Sequence, residues 1–150
     1  MRAFWAAVLT PVLTLAFFML GSPAATAFGS EVLGCAVDTA AWTANSCGGG
    51  GDGAISVVHY SPQNLSGTYS KSWTVTGPGG TAITGNCNTT AIPCIYSGCA
   101  LSSTTCDIKV RSGPNDRTFT ASLRLTQSGL TRTIQAQAVI YASGICLKCQ

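Results

Sequence analysis

Residues 117–141 alternate between apolar and polar side chains on either side of one short turn, a pattern that suits an antiparallel β-hairpin and no helix. Phe119, Ala121, Leu123 and Leu125 fall on one face of the first arm, against Thr118, Thr120, Ser122, Arg124 and Thr126 on the other. In the second arm Ile134, Ala136, Ala138 and Ile140 alternate with Thr133, Gln135, Gln137, Val139 and Tyr141. The connecting Gln127-Ser128-Gly129-Leu130 has the chemistry of a turn. A one-residue slip would turn every side chain to the opposite face. The register that keeps apolar residues together sets Leu123 opposite Ile134, Ala121 opposite Ala136 and Phe119 opposite Ala138. It also puts Arg132 opposite Leu125, on the core side but close enough to the hairpin end to reach water.

Other segments share this habit. Ala54–Tyr60 is β-branched and aromatic and is closed by Ser61-Pro62-Gln63-Asn64. From Tyr69 to Thr76 the period is two, with Tyr69, Lys71, Trp73 and Val75 on the inward face and Trp73 expected as a core anchor. By contrast, Gly48-Gly49-Gly50-Gly51-Asp52-Gly53 is expected to be a flexible loop, because consecutive glycines lose too much freedom to hold a helix or central strand. It lacks the Gly-Lys-Ser/Thr and following helix that a phosphate loop needs. No segment carries a convincing helical period. About seven short strands separated by Gly, Pro, Ser and Asn turns predict an all-β fold, an antiparallel sandwich.

The first residues obey a different logic. Arg2, the apolar run Ala3–Leu20 and then Ala25-Thr26-Ala27 make the three-part pattern of a secretory signal peptide cleaved after Ala27. The expected organisation is therefore a signal peptide at 1–27 and one disulfide-rich domain at 28–150. A retained membrane anchor is the alternative, opposed by Pro11, Gly21 and Pro23; so is a lipobox at Val32-Leu33-Gly34-Cys35, opposed by its distance from the apolar run. All eight cysteines lie beyond residue 27, which predicts disulfides formed in an oxidising compartment, the periplasm or outside the cell. Charged residues are only 9% of the chain and the formal net charge is +3, one unit of it from Arg2. So weak a balance points to neither nucleic acid nor a polybasic membrane contact, and once the signal is removed no stable membrane insertion is expected.

Cys87, Cys94, Cys99 and Cys106 sit in a stretch too poor in long aliphatics to pack by itself. We expect a stapled excursion in which they pair among themselves. Cys35 and Cys47 are then expected to pair with Cys146 and Cys149, because terminal strands of sandwiches often lie close together. The Cys146-Leu147-Lys148-Cys149 spacing also occurs in redox and zinc sites, but a redox motif needs a helix N-terminus and zinc needs reduced thiolates. Structural disulfides are the expected role, with neither metal nor cofactor.

Tyr69-Ser-Lys-Ser-Trp73-Thr-Val-Thr-Gly-Pro and Phe119 through Tyr141 resemble, respectively, the tryptophan-bearing strand and closing hairpin of immunoglobulin-like sandwiches of secreted and surface proteins, PKD-type modules among them. The chain departs from true immunoglobulin domains in offering Val57, Ala121 and Leu123 where two cysteines would bridge the sheets, and no Gly-Asp-Gly follows its tryptophan as in typical PKD repeats. The resemblance implies a presentation or adhesion scaffold and brings no catalytic residue.

Candidate chemistry is sparse. His59 is the only histidine; with the carboxylates Glu31, Asp38, Asp52, Asp107 and Asp116 it forms no recognisable hydrolase motif, so it reads as a half-buried structural residue. The polar hairpin face, Thr118, Thr120, Ser122, Arg124, Thr133, Gln135 and Gln137, is the candidate ligand surface for a protein or glycan. Asn64-Leu65-Ser66 and Asn88-Thr89-Thr90 are glycosylation sequons if the secretory pathway is eukaryotic. These features predict a non-enzymatic cell-surface binding or adhesion module, secreted or periplasmic. A structural subunit of a pilus or surface layer is the alternative, and a small secreted enzyme or redox protein using His59 or the Cys146/Cys149 pair the third.

Overall fold

The structure is a computed structural model describing residues 28–50, 55–88 and 91–143. Along these residues the chain forms β1 (Val32–Val37), β2 (Thr43–Ala44), β3 (Ser46–Gly49), β4 (Ile55–Gln63) and β5 (Ser70–Thr76). It continues through β6 (Cys94–Gly98), β7 (Cys106–Arg111), β8 (Arg117–Gln127) and β9 (Leu130–Ile140). The strands make two sheets, ordered β2-β1-β4-β7-β6 and β3-β9-β8-β5. Every pair within them is antiparallel except β3 with β9.

The alternation read from the sequence fills the space between the sheets. Leu33, Val58, Tyr60, Ile108 and Val110 enter from the first sheet; Phe119, Ala121, Leu123, Ile134 and Ala138 enter from the second. A buried hydroxyl must find a partner, and Tyr60 Oη donates to the Phe119 carbonyl at 3.1 Å, tying one sheet to the other. Burial pushes that phenol far above its ordinary range.

The β8–β9 hairpin has the expected register throughout, with Leu123 against Ile134, Ala121 against Ala136 and Phe119 against Ala138. Ser128 (φ 50°) and Gly129 (φ 80°) make the tight turn, both left-handed as a two-residue hairpin connection requires. Arg132 stands opposite Leu125. It donates to the Gly29 carbonyl at 2.7 Å and lies 3.2 Å from a carboxylate oxygen of Glu31.

Four expectations need correction. First, Cys35 bonds to Cys47, with Cα atoms 5.7 Å apart, and not to Cys146 or Cys149. The reason is topological: β1 belongs to one sheet and β3 to the other, and little more than β2 separates them in sequence, so the two cysteines meet at the sandwich edge. Cys146 and Cys149 lie outside the described residues, as do the signal-peptide residues 1–27. Cys87–Cys94 and Cys99–Cys106 do stay within their own segment, at Cα separations of 5.0 and 4.3 Å.

Second, Gly48 and Gly49 are not loop residues but half of the edge strand β3, parallel to β9. A Cβ on Gly49 would come within 2.9 Å of Val37 Cβ, and one on Gly48 within 2.6 Å of the Tyr141 hydroxyl. Close approach, not flexibility, explains glycine here.

Third, the segment 87–106 is only partly an excursion. Its middle, β6, pairs with β7 as an edge of the first sheet and is held from outside by Ile95 N–H to the Gly85 carbonyl and Cys87 N–H to the Ile95 carbonyl.

Fourth, Trp73 is half-buried at the rim of the core. β5 is an edge strand, so its indole faces the gap between sheets, donating to the Ser103 carbonyl at 3.1 Å beside a cleft of about 290 Å³.

Candidate ligand-binding face

In a two-sheet sandwich each strand presents alternate residues outward. On the second sheet these residues align into rows across the strands. One row runs Ser72, Arg124, Thr133; the next runs Thr74, Ser122, Gln135. A third runs Thr76, Thr120, Gln137, Ser46, and a fourth runs Thr118, Val139, Gly48. All seven residues expected on the ligand face are thus brought together. Thr118, Arg124, Thr133, Gln135 and Gln137 are exposed, and Thr120 and Ser122 are half-buried.

The sequence reading missed the flanks of this face. Ser72, Thr74 and Thr76 come from β5 and Ser46 from β3. The alternation at 69–76 showed which β5 residues point outward, but placing them beside β8 needs a pairing between strands far apart in sequence.

The face is hydroxyl- and amide-rich, with Arg124 as its one fixed charge among the rows described. Gln135 donates to the Ser122 hydroxyl at 2.8 Å, and Thr126 and Thr131 share a hydrogen bond of 3.2 Å at the hairpin end. Among the described residues, Thr118, Thr120, Arg124, Thr133 and Gln137 make no such side-chain bond and remain available to a ligand. Polar groups kept in water cost nothing in the folded state, so the surface presents donors and acceptors without destabilising the sandwich.

At one margin the flat face becomes concave. Tyr141 follows β9 on the outward side, half in water, and lines a groove of about 530 Å³ together with Val139, Ser46, Thr43, Ala40 and Ala41. Thr43 Oγ1 donates to the Ser46 carbonyl and so fixes the turn that forms the far wall.

The outer face of the first sheet is built differently. His59 Nδ1 lies 3.0 Å from Asp107 Oδ1, and the Ser97 hydroxyl donates to Asp107 Oδ2 at 2.6 Å. The carboxylate, not the imidazole, occupies the middle of this trio. His59 is therefore not placed to take a proton from Ser97, as a Ser-His-Asp nucleophile would require. The pair spans β4 and β7 at partial exposure, 32% for His59 and 17% for Asp107. Lys109 lies 4.1 Å over the Tyr96 ring on the same sheet. Among the described residues no group of three or more His, Cys, Asp or Glu side chains could hold a metal ion.

A buried acid was not foreseen. Glu31 is 1% exposed, next to Arg132 and 3.0 Å from the Tyr69 hydroxyl, which also lies 2.8 Å from the Ser66 carbonyl. Hydrogen bonds from the Gly29 and Glu31 backbone, outweighing desolvation and aided by Tyr69 and Arg132, hold its carboxyl below the usual range. Burial and then the adjoining carboxylate push the Tyr69 phenol up. Phe28 stacks on the Tyr69 ring at 5.9 Å, completing a clamp at one end of the sandwich.

Of the two sequon asparagines, Asn64 is exposed at positive φ (60°), with its amide 3.4 Å from the Ser30 carbonyl. Asn88 is exposed, and the Thr89-Thr90 that completes its sequon lies outside the described residues.

No protein-family model matches the chain, and no curated protein matches it significantly.

Proposed function

We propose that the chain is a non-enzymatic, exported binding or adhesion module of immunoglobulin-like architecture, which engages a polar protein or glycan at the cell surface through the outer face of the β3-β9-β8-β5 sheet. The observation that carries this reading is the face itself: four strands of aligned Ser, Thr and Gln, most of them with no internal side-chain hydrogen bond beyond the Gln135–Ser122 pair, and a single cation. The strand order supports the architecture. β1-β4-β7-β6 opposite β9-β8-β5 has the arrangement of a seven-stranded immunoglobulin sandwich, with β3 added beside the last strand.

Three disulfides among the described residues fit an oxidising, non-cytoplasmic compartment. No described helix is long and apolar enough to cross a membrane. The test is saturable binding of labelled protein to intact cells of the producing organism. Wild type binds, and Gln135→Lys, which changes the face without touching the core, loses binding while keeping its melting temperature. Undiminished binding by this variant overturns the reading.

One observation favours a structural subunit instead. On its outer side β5 has no strand partner from Ser70 to Thr74 among the described residues, which leaves backbone groups that a neighbouring chain could extend. Gel filtration separates the two: a monomer supports the module and a ladder of oligomers the subunit.

A further inference from the structure

We infer that the groove between the Ala40–Thr43 segment and Tyr141 is a subsite for a neutral saccharide, an inference that rests on the binding-module reading and gives it a ligand class. Its volume of about 530 Å³ falls within the roughly 300–1,000 Å³ of small-ligand sites, enough for one or two sugar rings.

Its chemistry narrows the occupant. Among the described residues no carboxylate, lysine or arginine lines it. A charged ligand would leave its charge unpaired there, at a cost that a neutral one avoids. What does line it is one aromatic ring, small apolar side chains and hydroxyls: Tyr141, then Val139, Ala40 and Ala41, then Thr43 and Ser46. A pyranose has the complementary surface, C–H faces that lie on an aromatic ring and an equator of hydroxyls that donate and accept.

The platform is held in place by the backbone. Gly48 carries no side chain at the point where a Cβ would meet the Tyr141 hydroxyl at 2.6 Å and ring carbon Cζ at 3.0 Å, so the ring settles against β3. Tyr141 still keeps half of its surface in water. Its backbone N–H donates to the Gly49 carbonyl at 3.1 Å, which fixes the strand from which the ring projects. The Cys35–Cys47 disulfide anchors β3, against which the ring rests, from the core side. A pre-set platform loses less freedom on binding than a mobile one.

The hydrogen-bonding partners are equally placed. Ser46 faces out beside Gln137, whose carboxamide offers both a donor and an acceptor. The Thr43 hydroxyl donates its hydrogen bond to the Ser46 carbonyl and so presents its oxygen as an acceptor. Through Ser46 and Gln137 the groove joins the hydroxyl-rich rows of the flat face, so a longer glycan could run from one to the other.

The experiment titrates the full chain, purified as it is exported, with neutral gluco-, manno-, xylo- and chito-oligosaccharides, followed by amide NMR shifts. The inference expects at least one of these to shift Ser46, Gly48 and Tyr141. It further expects Tyr141→Ala to weaken that ligand about tenfold, the loss of one stacking contact, with His59→Ala, on the other sheet, leaving the groove shifts in place. Absence of any groove shift across the panel overturns it, as does a proline-rich peptide shifting these residues when no saccharide does. Saccharide shifts confined to residues 118–135 would overturn the groove and leave the module reading standing. Cell binding that survives Tyr141→Ala but not Gln135→Lys would do the same. Loss of both saccharide and cell binding in wild type would remove both.

Discussion

The C-terminal hairpin and the N-terminal segment from Phe28 to Gly50 enter the same sandwich by opposite routes. In β8 and β9, neighbours in space are neighbours in sequence, the turn is two residues with the right backbone signs, and a single alternation decides the register. In the N-terminal segment, β1 joins the first sheet and β3 the second, and β3 lies parallel to a strand from the far end of the chain. Local pattern specifies the first region. In the second, long-range contacts, one disulfide and the absence of side chains at Gly48 and Gly49 specify it.

This contrast can be broken by substitution. Phe119→Ala removes a fully buried ring from the hairpin's core face and is expected to cost about 3–5 kcal/mol in denaturant unfolding. The double substitution Cys35→Ala and Cys47→Ala opens the N-terminal cross-link, whose partners stand 12 residues apart. It is expected to cost roughly 2–4 kcal/mol. A loss as large as that of Phe119→Ala, with β8–β9 amide protection also gone, would mean that the two regions are not separately specified.

Gly49→Val sharpens the comparison at one position. Valine has high strand propensity, yet its Cβ would crowd Val37, so a cost of about 1–3 kcal/mol is expected. A gain in melting temperature would show that the glycine is there for flexibility after all.

Acid provides the gentlest probe of the N-terminal clamp. Because the folded Glu31 carboxyl titrates below its ordinary value of 4.5, its contribution is complete above that value and is lost as pH falls through it toward the lowered folded value. Melting temperature should therefore decline across that acid range, and Glu31→Gln should flatten the decline. An identical acid limb in the variant would assign the loss to other carboxylates.

How much of this was legible from sequence follows the same division. The hairpin register, the turn at Ser128-Gly129, the outward set from Thr118 to Gln137 and the pairing of Cys87, Cys94, Cys99 and Cys106 among themselves all follow from short-range pattern. The Cys35–Cys47 bond was not legible, because it depends on β1 and β3 entering different sheets. Nor was the strand character of Gly48 and Gly49, since propensity argues against it and only Val37 and Tyr141 explain it. Trp73 shows the limit of alternation. The pattern gave its face correctly, but how deeply a side chain lies depends on whether its strand is central or at an edge. Glu31 lay outside any apolar pattern, and its side-chain partners Tyr69 and Arg132 lie 38 and 101 residues further along the chain.

The two outer faces of the sandwich offer the most direct test of the functional account. One is a hydroxyl and amide surface on β3-β9-β8-β5; the other carries the His59–Asp107–Ser97 cluster on β4, β7 and β6. Binding to intact cells should be measured side by side for Thr133→Lys on the first of these and His59→Ala on the second, with melting temperature as the control for folding. The account predicts that Thr133→Lys abolishes binding and His59→Ala leaves it unchanged. Binding lost with His59→Ala and kept with Thr133→Lys, in variants that remain folded, would contradict it.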